Sequence, residues 1–189
     1  MLRTALAVLA STVILFVWGS LSWSVFGWHM PKDFKDGEAV AAVLKANCEE
    51  HGNYAYPSWS MMNAPAEEQE AAKKTMDQAW KDGPFIYATV RPGALPNYNM
   101  GSLMVRQVGI VLLASFTLVF LIQKSKHNAF LDRLSMAVLA GLLLGIMSAL
   151  PAWNWMELPG RDTVALLLDG IISLTLAGAA IAVILPKRG

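Results

Sequence analysis

Hydrophobic residues are gathered into four long segments rather than spread evenly along the chain. The segments cover residues 4–28, 102–123, 134–150 and 163–185. Each is close to the roughly 20 residues that an α-helix needs to cross the apolar core of a bilayer. A soluble bundle is the alternative, but 189 residues are too few to shield four wholly apolar helices from water. The pattern therefore predicts an α-helical integral membrane protein with a four-helix transmembrane bundle.

A polar block between the first and second apolar segments has the pattern of a small α+β domain. Asp36 is placed to cap one helix, Pro65 to begin another, and Gly83 to end it. Two short runs of alternating or β-branched residues predict strands. The predicted elements are a helix over 37–50, a strand over 53–57, a helix over 65–82 and a strand over 85–91. The predicted organisation is transmembrane helix 1 over 1–28, the inserted domain over 29–101, and transmembrane helices 2–4 over 102–189.

Positive charges beside the apolar segments predict the orientation of the chain. Lys and Arg collect in short cytoplasmic loops, and one side of the predicted bundle holds most of them. Both termini are therefore predicted to be cytoplasmic, residues 29–101 extracytoplasmic, and the chain a multi-pass protein of the inner cell membrane. The first segment is longer than a signal-peptide core, which favours an uncleaved anchor. The charges on the cytoplasmic side are Arg3, Lys124, Lys126, Arg133, Lys187 and Arg188, against Arg161 in the short loop opposite.

Composition removes several classes of function. Hydrophobic residues make up 55% of the chain and charged residues 15%, which is too apolar for an ordinary soluble domain. The net charge is +1 and no basic stripe is present, so no nucleic-acid partner is expected. Cys48 is the only cysteine, which rules out a disulfide within the chain. No nucleophile motif, phosphate-binding loop or dinucleotide fingerprint occurs, and no catalytic residue or cofactor is predicted.

Asp169 is the most informative single residue, because a carboxylate inside an apolar segment is costly and normally faces a partner within the bundle. It lies seven positions after Asp162, about 10 Å along a helix at 1.5 Å per residue. Arg106 lies near the predicted outer end of the second segment, as Asp169 does in the fourth. We therefore predict an intramembrane pair between Arg106 and Asp169. Such a pair would fix helix register, with a proton or cation relay as the alternative.

Tryptophan-rich helix ends suggest a second feature. An interfacial belt explains most of this enrichment, because indole rings favour the headgroup level. The alternative is an outward-facing pocket near Asp169. Its predicted lining is Gln107, Trp153, Asn154 and Trp155.

Soft metal ligands and exposed aromatic residues complete the candidate chemistry. Three side chains, His29, Cys48 and His51, are weak candidates for a copper site, but the motif and spacing of a metal centre are missing. No metal is therefore predicted. The predicted strands and their surroundings hold aromatic residues that either form the small domain's own core or contact a partner. The partner-contact candidates are Tyr54, Tyr56, Trp59, Phe85 and Tyr87.

Three functional classes follow. The first is a non-catalytic accessory or assembly subunit of a larger membrane complex, because the chain is short, lacks chemical motifs and has an undersized aromatic domain. Small-residue pairs, Gly141 with Gly145 and Gly178 with Ala182, would pack helices within this bundle or against a partner. The second class is a protein that binds or transports a small molecule, lipid or ion near Asp169. The third is a copper-handling protein or membrane enzyme. The expected partners are the lipid bilayer and either another membrane protein or a second copy of the chain.

Overall fold

The computed structural model describes residues 1–58, 64–96, 98–125 and 129–186. The chain divides into two compact units. One unit joins Met1–Pro31 to Tyr98–Gly189, and the other is Lys32–Asn97. We call the first the helical unit and the second the α+β unit.

The helical unit contains four helices that are long and apolar enough to cross a membrane, as the hydropathy pattern predicts. They are α1 (Leu2–Ser20, continued by a π-helical turn over Leu21–Val25), α4 (Met100–Lys124), α5 (Phe130–Met156) and α6 (Gly160–Ile184). Many of their outward-facing side chains are apolar and exposed, such as Leu113, Leu143 and Val183. Such a surface is unfavourable in water and ordinary against lipid. The unit is therefore compatible with a multi-pass membrane protein.

Helix α5 is longer than the apolar segment that predicted it. The helix passes through Pro151 and ends where Glu157 adopts a left-handed backbone with φ of 53°. The Leu158 N–H then donates to the Ala152 carbonyl over 3.2 Å, which satisfies one of the free carbonyls of the helix end. Residues 151–156, expected in a loop, are consequently helical.

Helices α5 and α6 approach closely because glycines face each other across the pair. A Cβ added to Gly141 would lie 2.6 Å from the Gly170 carbonyl oxygen, and one added to Gly145 would lie 2.7 Å from the Leu167 carbonyl oxygen. Backbone atoms cannot move aside for such a methyl group, so only glycine allows this spacing. The glycine pair thus packs helices within the bundle.

The helices pack in the order α5, α6, α1, α4. Helix α1 lies against α6, and α4 lies mainly against α1. Near the end of this α1–α4 pair, the Gln123 side-chain amide donates to Thr4 Oγ1 over 3.0 Å. The shared core is made mostly of small and β-branched residues. Its buried members are Ala7, Leu15, Val111, Leu118, Val119, Ile122, Ala137, Ala177, Ile181 and Leu185.

The α+β unit contains α2 (Gly37–Asn47), β1 (Gly52–Tyr56), α3 (Gln69–Asp82) and β2 (Ile86–Val90). Asp36 caps α2 as predicted, since its carboxylate accepts from the Ala39 N–H over 2.9 Å. The strands are antiparallel, with Gly52 opposite Val90 and Tyr56 opposite Ile86. Two predicted helix ends were misplaced. Helix α2 stops at Asn47 because Cys48 has an extended backbone, and α3 starts only after a turn over residues 65–68.

Candidate functional site in the helical unit

The end of α1 is reshaped by the π-helical turn over Leu21–Val25. The Phe26 N–H donates to the Leu21 carbonyl over 2.9 Å, a bond that spans five residues instead of four. Such turns inside helices are often found at functional sites. Gly27 follows with a φ of 62°, a backbone conformation that residues with a Cβ rarely adopt. The chain can therefore reverse here and bring His29 back beside Ser22.

Asp169, in the third turn of α6, is the anionic member of the site. Its Oδ1 accepts a hydrogen bond of 2.6 Å from the indole Nε1–H of Trp18, and its Oδ2 lies 3.5 Å from His29 Nε2. Only 20% of the Asp169 side chain and 4% of the His29 side chain are exposed. The carboxylate therefore has a polar group beside each oxygen, as a buried charge requires.

Ser22 completes what we call the His29 cluster: Trp18, Ser22, His29 and Asp169. The Ser22 side chain is fully buried, and its Oγ lies 3.1 Å from His29 Nε2. Ser22 and Asp169 thus approach the same ring nitrogen. In a serine-hydrolase triad the hydroxyl and the carboxylate occupy opposite nitrogens, so the cluster lacks the geometry that activates a serine nucleophile.

Aromatic rings cover this cluster. Trp23 stacks on the His29 ring with centroids 4.5 Å apart and an angle of 22°. The rings of Trp18, Phe26 and Trp28 contact one another, with centroid distances between 5.3 and 6.1 Å. Arg161, at the start of α6, donates to the Gly27 carbonyl over 3.1 Å. The reversed segment is thus held to α6 by polar contacts and to α1 by ring packing.

The structure does not bring Arg106 to Asp169, and the predicted pair is not formed. The Arg106 side chain is exposed and donates to Ser102 of its own helix, through Nε to the carbonyl oxygen at 3.3 Å and through Nη2 to Oγ at 3.4 Å. The physical reason is the order of the helices. Because α1 rather than α4 packs closely against α6, the partners of Asp169 come from α1 and the segment after it.

The residues predicted to line an outer pocket do not gather around the His29 cluster. Gln107 is exposed on α4, whereas Trp153, Asn154 and Trp155 are exposed in the last turns of α5. One member of the cluster, Trp18, lines an apolar groove of about 440 Å³, which we call the α1–α6 groove. Its lining residues are Val13, Ile14, Val17, Trp18, Leu21 and Leu176.

The candidate metal ligands are divided between the two units. His29 belongs to the helical unit, whereas Cys48 and His51 belong to the α+β unit. Cys48 is buried, and His51 Nδ1 lies 2.9 Å from a guanidinium nitrogen of Arg91. In the part of the chain that the structure describes, no three His, Cys, Asp or Glu side chains are grouped as metal ligands.

The aromatic residues of the α+β unit fall into two groups. The first is half-buried: Tyr54, whose hydroxyl donates to the Glu50 carbonyl over 2.8 Å, and Tyr87. The second is exposed, Tyr56 by 47% and Phe85 by 37%. Trp59 lies outside the described residues. A separate cavity of about 500 Å³ in this unit lies between Tyr56 and one face of α3.

Sequence reasoning missed Trp18 and Ser22 and assigned His29 to a different role. Trp18 lies ten residues from the end of the first apolar segment and Asp169 six residues from the start of the fourth, so their depths differ by about one helical turn, and this was the available signal. The π-helical turn that aligns Ser22 with His29 has no comparable signature in the sequence. Comparison with known proteins adds no further assignment, since no protein-family model, curated protein or solved structure matches the chain.

Proposed function

We propose that the protein is a non-catalytic accessory or assembly subunit of a larger membrane complex, and that its α+β unit docks on a partner protein. The observation that supports this function best is an exposed apolar patch at one end of the two-stranded sheet. We call it the sheet patch: Tyr56, Phe85 and Ile86.

The members of the sheet patch are neighbours at one end of the sheet. Tyr56 and Ile86 are paired neighbours on β1 and β2, and Phe85 directly precedes Ile86. Apolar groups that are exposed together are typical of contact surfaces. A two-stranded sheet is also marginally stable in water by itself. A protein that covers the sheet patch would therefore bury apolar area and support the sheet.

The proposal includes the orientation predicted from the charges. Arg3 and Lys124 lie at the ends of α1 and α4 that the Thr4–Gln123 hydrogen bond joins, and both are exposed. With these charges on the cytoplasmic side, the α+β unit and its partner are extracytoplasmic. Single cysteines at Glu67 and at Lys124, each in a Cys48→Ala background, test this orientation. A membrane-impermeant maleimide added to intact cells should label the first and spare the second.

Purification from native membranes in mild detergent tests the function. The wild-type chain should elute with a stoichiometric second protein, and the double variant Tyr56→Ser, Ile86→Thr should lose it. Val43→Ser is the matched control, because Val43 is an exposed apolar residue of α2 outside the sheet patch. A dimer of the chain by light scattering would identify the partner as a second copy. A monomeric wild type without any companion, or a double variant that keeps its companion, would contradict docking.

A second candidate function is the binding or transport of a small molecule, lipid or ion. It is favoured by the α1–α6 groove, since Trp18 lines it and also donates to the Asp169 carboxylate. Mass spectrometry of extracts from purified protein would test it. A bound small molecule should be present in the wild type and missing in Leu176→Trp, where a large ring fills the groove. Equal occupancy in both proteins would argue against binding in this groove.

A further inference from the structure

We propose that the His29 cluster is a reversible proton-binding site, in which protonation of the His29 imidazole turns its contact with Asp169 into an ion pair that fastens the segment after α1 to α6. This inference is independent of docking by the α+β unit, because every group in it belongs to the helical unit.

The first step concerns the charge on Asp169. Trp18 satisfies Oδ1 with a hydrogen bond of 2.6 Å, but Oδ2 faces His29 Nε2 at 3.5 Å. Two lone pairs at this distance would repel each other in a poorly solvated site. A proton on Nε2 turns the same contact into an attraction between an N–H donor and a carboxylate. One neutral tautomer also has a proton on Nε2, and the cationic imidazole adds an attraction between opposite charges to the same contact.

The second step concerns Ser22, which makes the protonation reversible. A hydroxyl can donate one hydrogen bond and can also accept. When the imidazole is cationic, Ser22 Oγ accepts from Nε2–H at 3.1 Å and Asp169 balances the charge. When the imidazole is neutral, the Ser22 hydroxyl accepts from Nε2–H in one tautomer and donates to the Nε2 lone pair in the other. Each protonation state thus has a hydrogen-bond partner within the cluster.

The third step concerns the surroundings of the imidazole. Residues 4–28, which include α1 after Arg3 and the whole π-helical turn, contain no ionisable side chain. Helix α6 contributes Asp169, Asp162 in its first turn, and Arg161, whose guanidinium is held at the Gly27 carbonyl. Trp23 stacks on the ring at 4.5 Å, and an aromatic face favours a cation. The neighbour that responds directly to the charge of His29 is therefore Asp169.

The consequence is a change in how firmly the reversed segment is attached. Imidazole is the side chain whose charge ordinarily changes between about pH 5 and pH 8. Protonation adds an ion pair between residues 29 and 169, and deprotonation leaves the segment held by Trp18, Ser22 and Arg161. Because the α+β unit begins at Lys32, three residues after His29, the proton acts next to the connection between the two units.

Nuclear magnetic resonance of the full-length protein in detergent or nanodiscs tests the proposal without any need for a stable variant. The chain is labelled with ¹⁵N in histidine side chains and in tryptophan indoles, and spectra are recorded from pH 4 to pH 9. We expect the His29 nitrogens to show one protonation step. The Trp18 indole N–H should shift at the same midpoint, because it bonds the same carboxylate.

Variants assign the signals and provide the controls. His29→Gln and Trp18→Phe should each remove one of the two linked signals, and Asp169→Asn should uncouple them. His51→Gln is the matched control, since His51 lies in the α+β unit, and it should leave both signals unchanged. A His29 signal that stays in one protonation state from pH 4 to pH 9 would overturn the proposal. A Trp18 indole signal that does not follow the His29 step would overturn it as well.

Discussion

The indole N–H of Trp18 donates to Oδ1 of Asp169 over 2.6 Å and joins α1 to α6 across 151 positions of the sequence. Both groups lie within helices that are long and apolar enough to span a membrane, and in the core of a bilayer water could not replace a lost partner. A single hydrogen bond to a charged acceptor in such a place contributes more than a bond at a wet surface.

Replacing Trp18 by Phe should therefore destabilise the bundle. The substitution keeps an aromatic ring but leaves Oδ1 of Asp169 without its donor, at a cost of about 1–3 kcal/mol. Thermal unfolding in detergent would measure the loss. Trp153→Phe is the matched control, because Trp153 is 54% exposed and should tolerate the change. In an Asp169→Asn background the effect of Trp18→Phe should be smaller, since the charged acceptor has gone. Equal effects in both backgrounds would show that the two residues are not coupled.

A variant that removes the charge of Arg106 distinguishes the contacts in the structure from the Arg106–Asp169 ion pair that the sequence predicts. Arg106 is exposed and, among the described residues, is hydrogen-bonded to Ser102 of its own helix, so Arg106→Ala should leave the thermal stability unchanged. An ion pair with Asp169 would instead leave an unpaired buried carboxylate after this substitution, with a large drop in stability. The same unfolding experiment distinguishes the two outcomes.

The sequence predicts Arg106 as the partner of Asp169, whereas the structure has Trp18. This difference shows which features can be predicted from the sequence and which cannot. Length and hydropathy predict the existence of each long helix, since those properties belong to one segment at a time. The depth of Asp169 can be counted along the chain in the same way. Its partner depends on which helix packs against α6, and that depends on the glycine-lined contact with α5 and on the π-helical turn after α1. Neither the helix order nor the turn has a local signature in hydropathy, so the chemistry of the site was predicted around the wrong helix.

The close approach of α5 and α6 predicts a sharp difference between two glycines. Gly145→Ala places a Cβ 2.7 Å from the Leu167 carbonyl oxygen, so the helices must separate, at a cost of about 1–3 kcal/mol. Gly109→Ala, in α4, meets no atom within 4 Å and should be neutral or slightly stabilising, because alanine favours helix more than glycine does. Denaturant or thermal unfolding of both variants measures the contrast. If both substitutions have the same effect, the α5–α6 contact is looser than the structure shows.

The other end of α6 depends on a buried arginine. Arg133, on α5, is only 4% exposed, and its guanidinium donates to the Leu185 carbonyl over 2.8 Å and to the Pro186 carbonyl over 2.7 Å. The guanidinium also donates over 3.4 Å to the Ala182 carbonyl, one of the free carbonyls in the last turn of α6, and a cation there complements the helix dipole. The side chain therefore closes α6 and ties it to α5.

Replacing Arg133 should accordingly loosen the end of α6. Arg133→Ala leaves the carbonyl of the buried Leu185 without this donor and should cost about 1–3 kcal/mol, whereas Arg133→Lys keeps the charge but loses the planar guanidinium. We therefore expect Lys to retain part of the stability and Ala to retain least. The rate of hydrogen exchange in the last turn of α6 should be lowest in the wild type, higher in Arg133→Lys and highest in Arg133→Ala. Exchange near Asp169, in the third turn of the helix, should stay unchanged. Uniformly faster exchange along α6 in Arg133→Ala would mean that the arginine supports the whole bundle instead of closing one helix end.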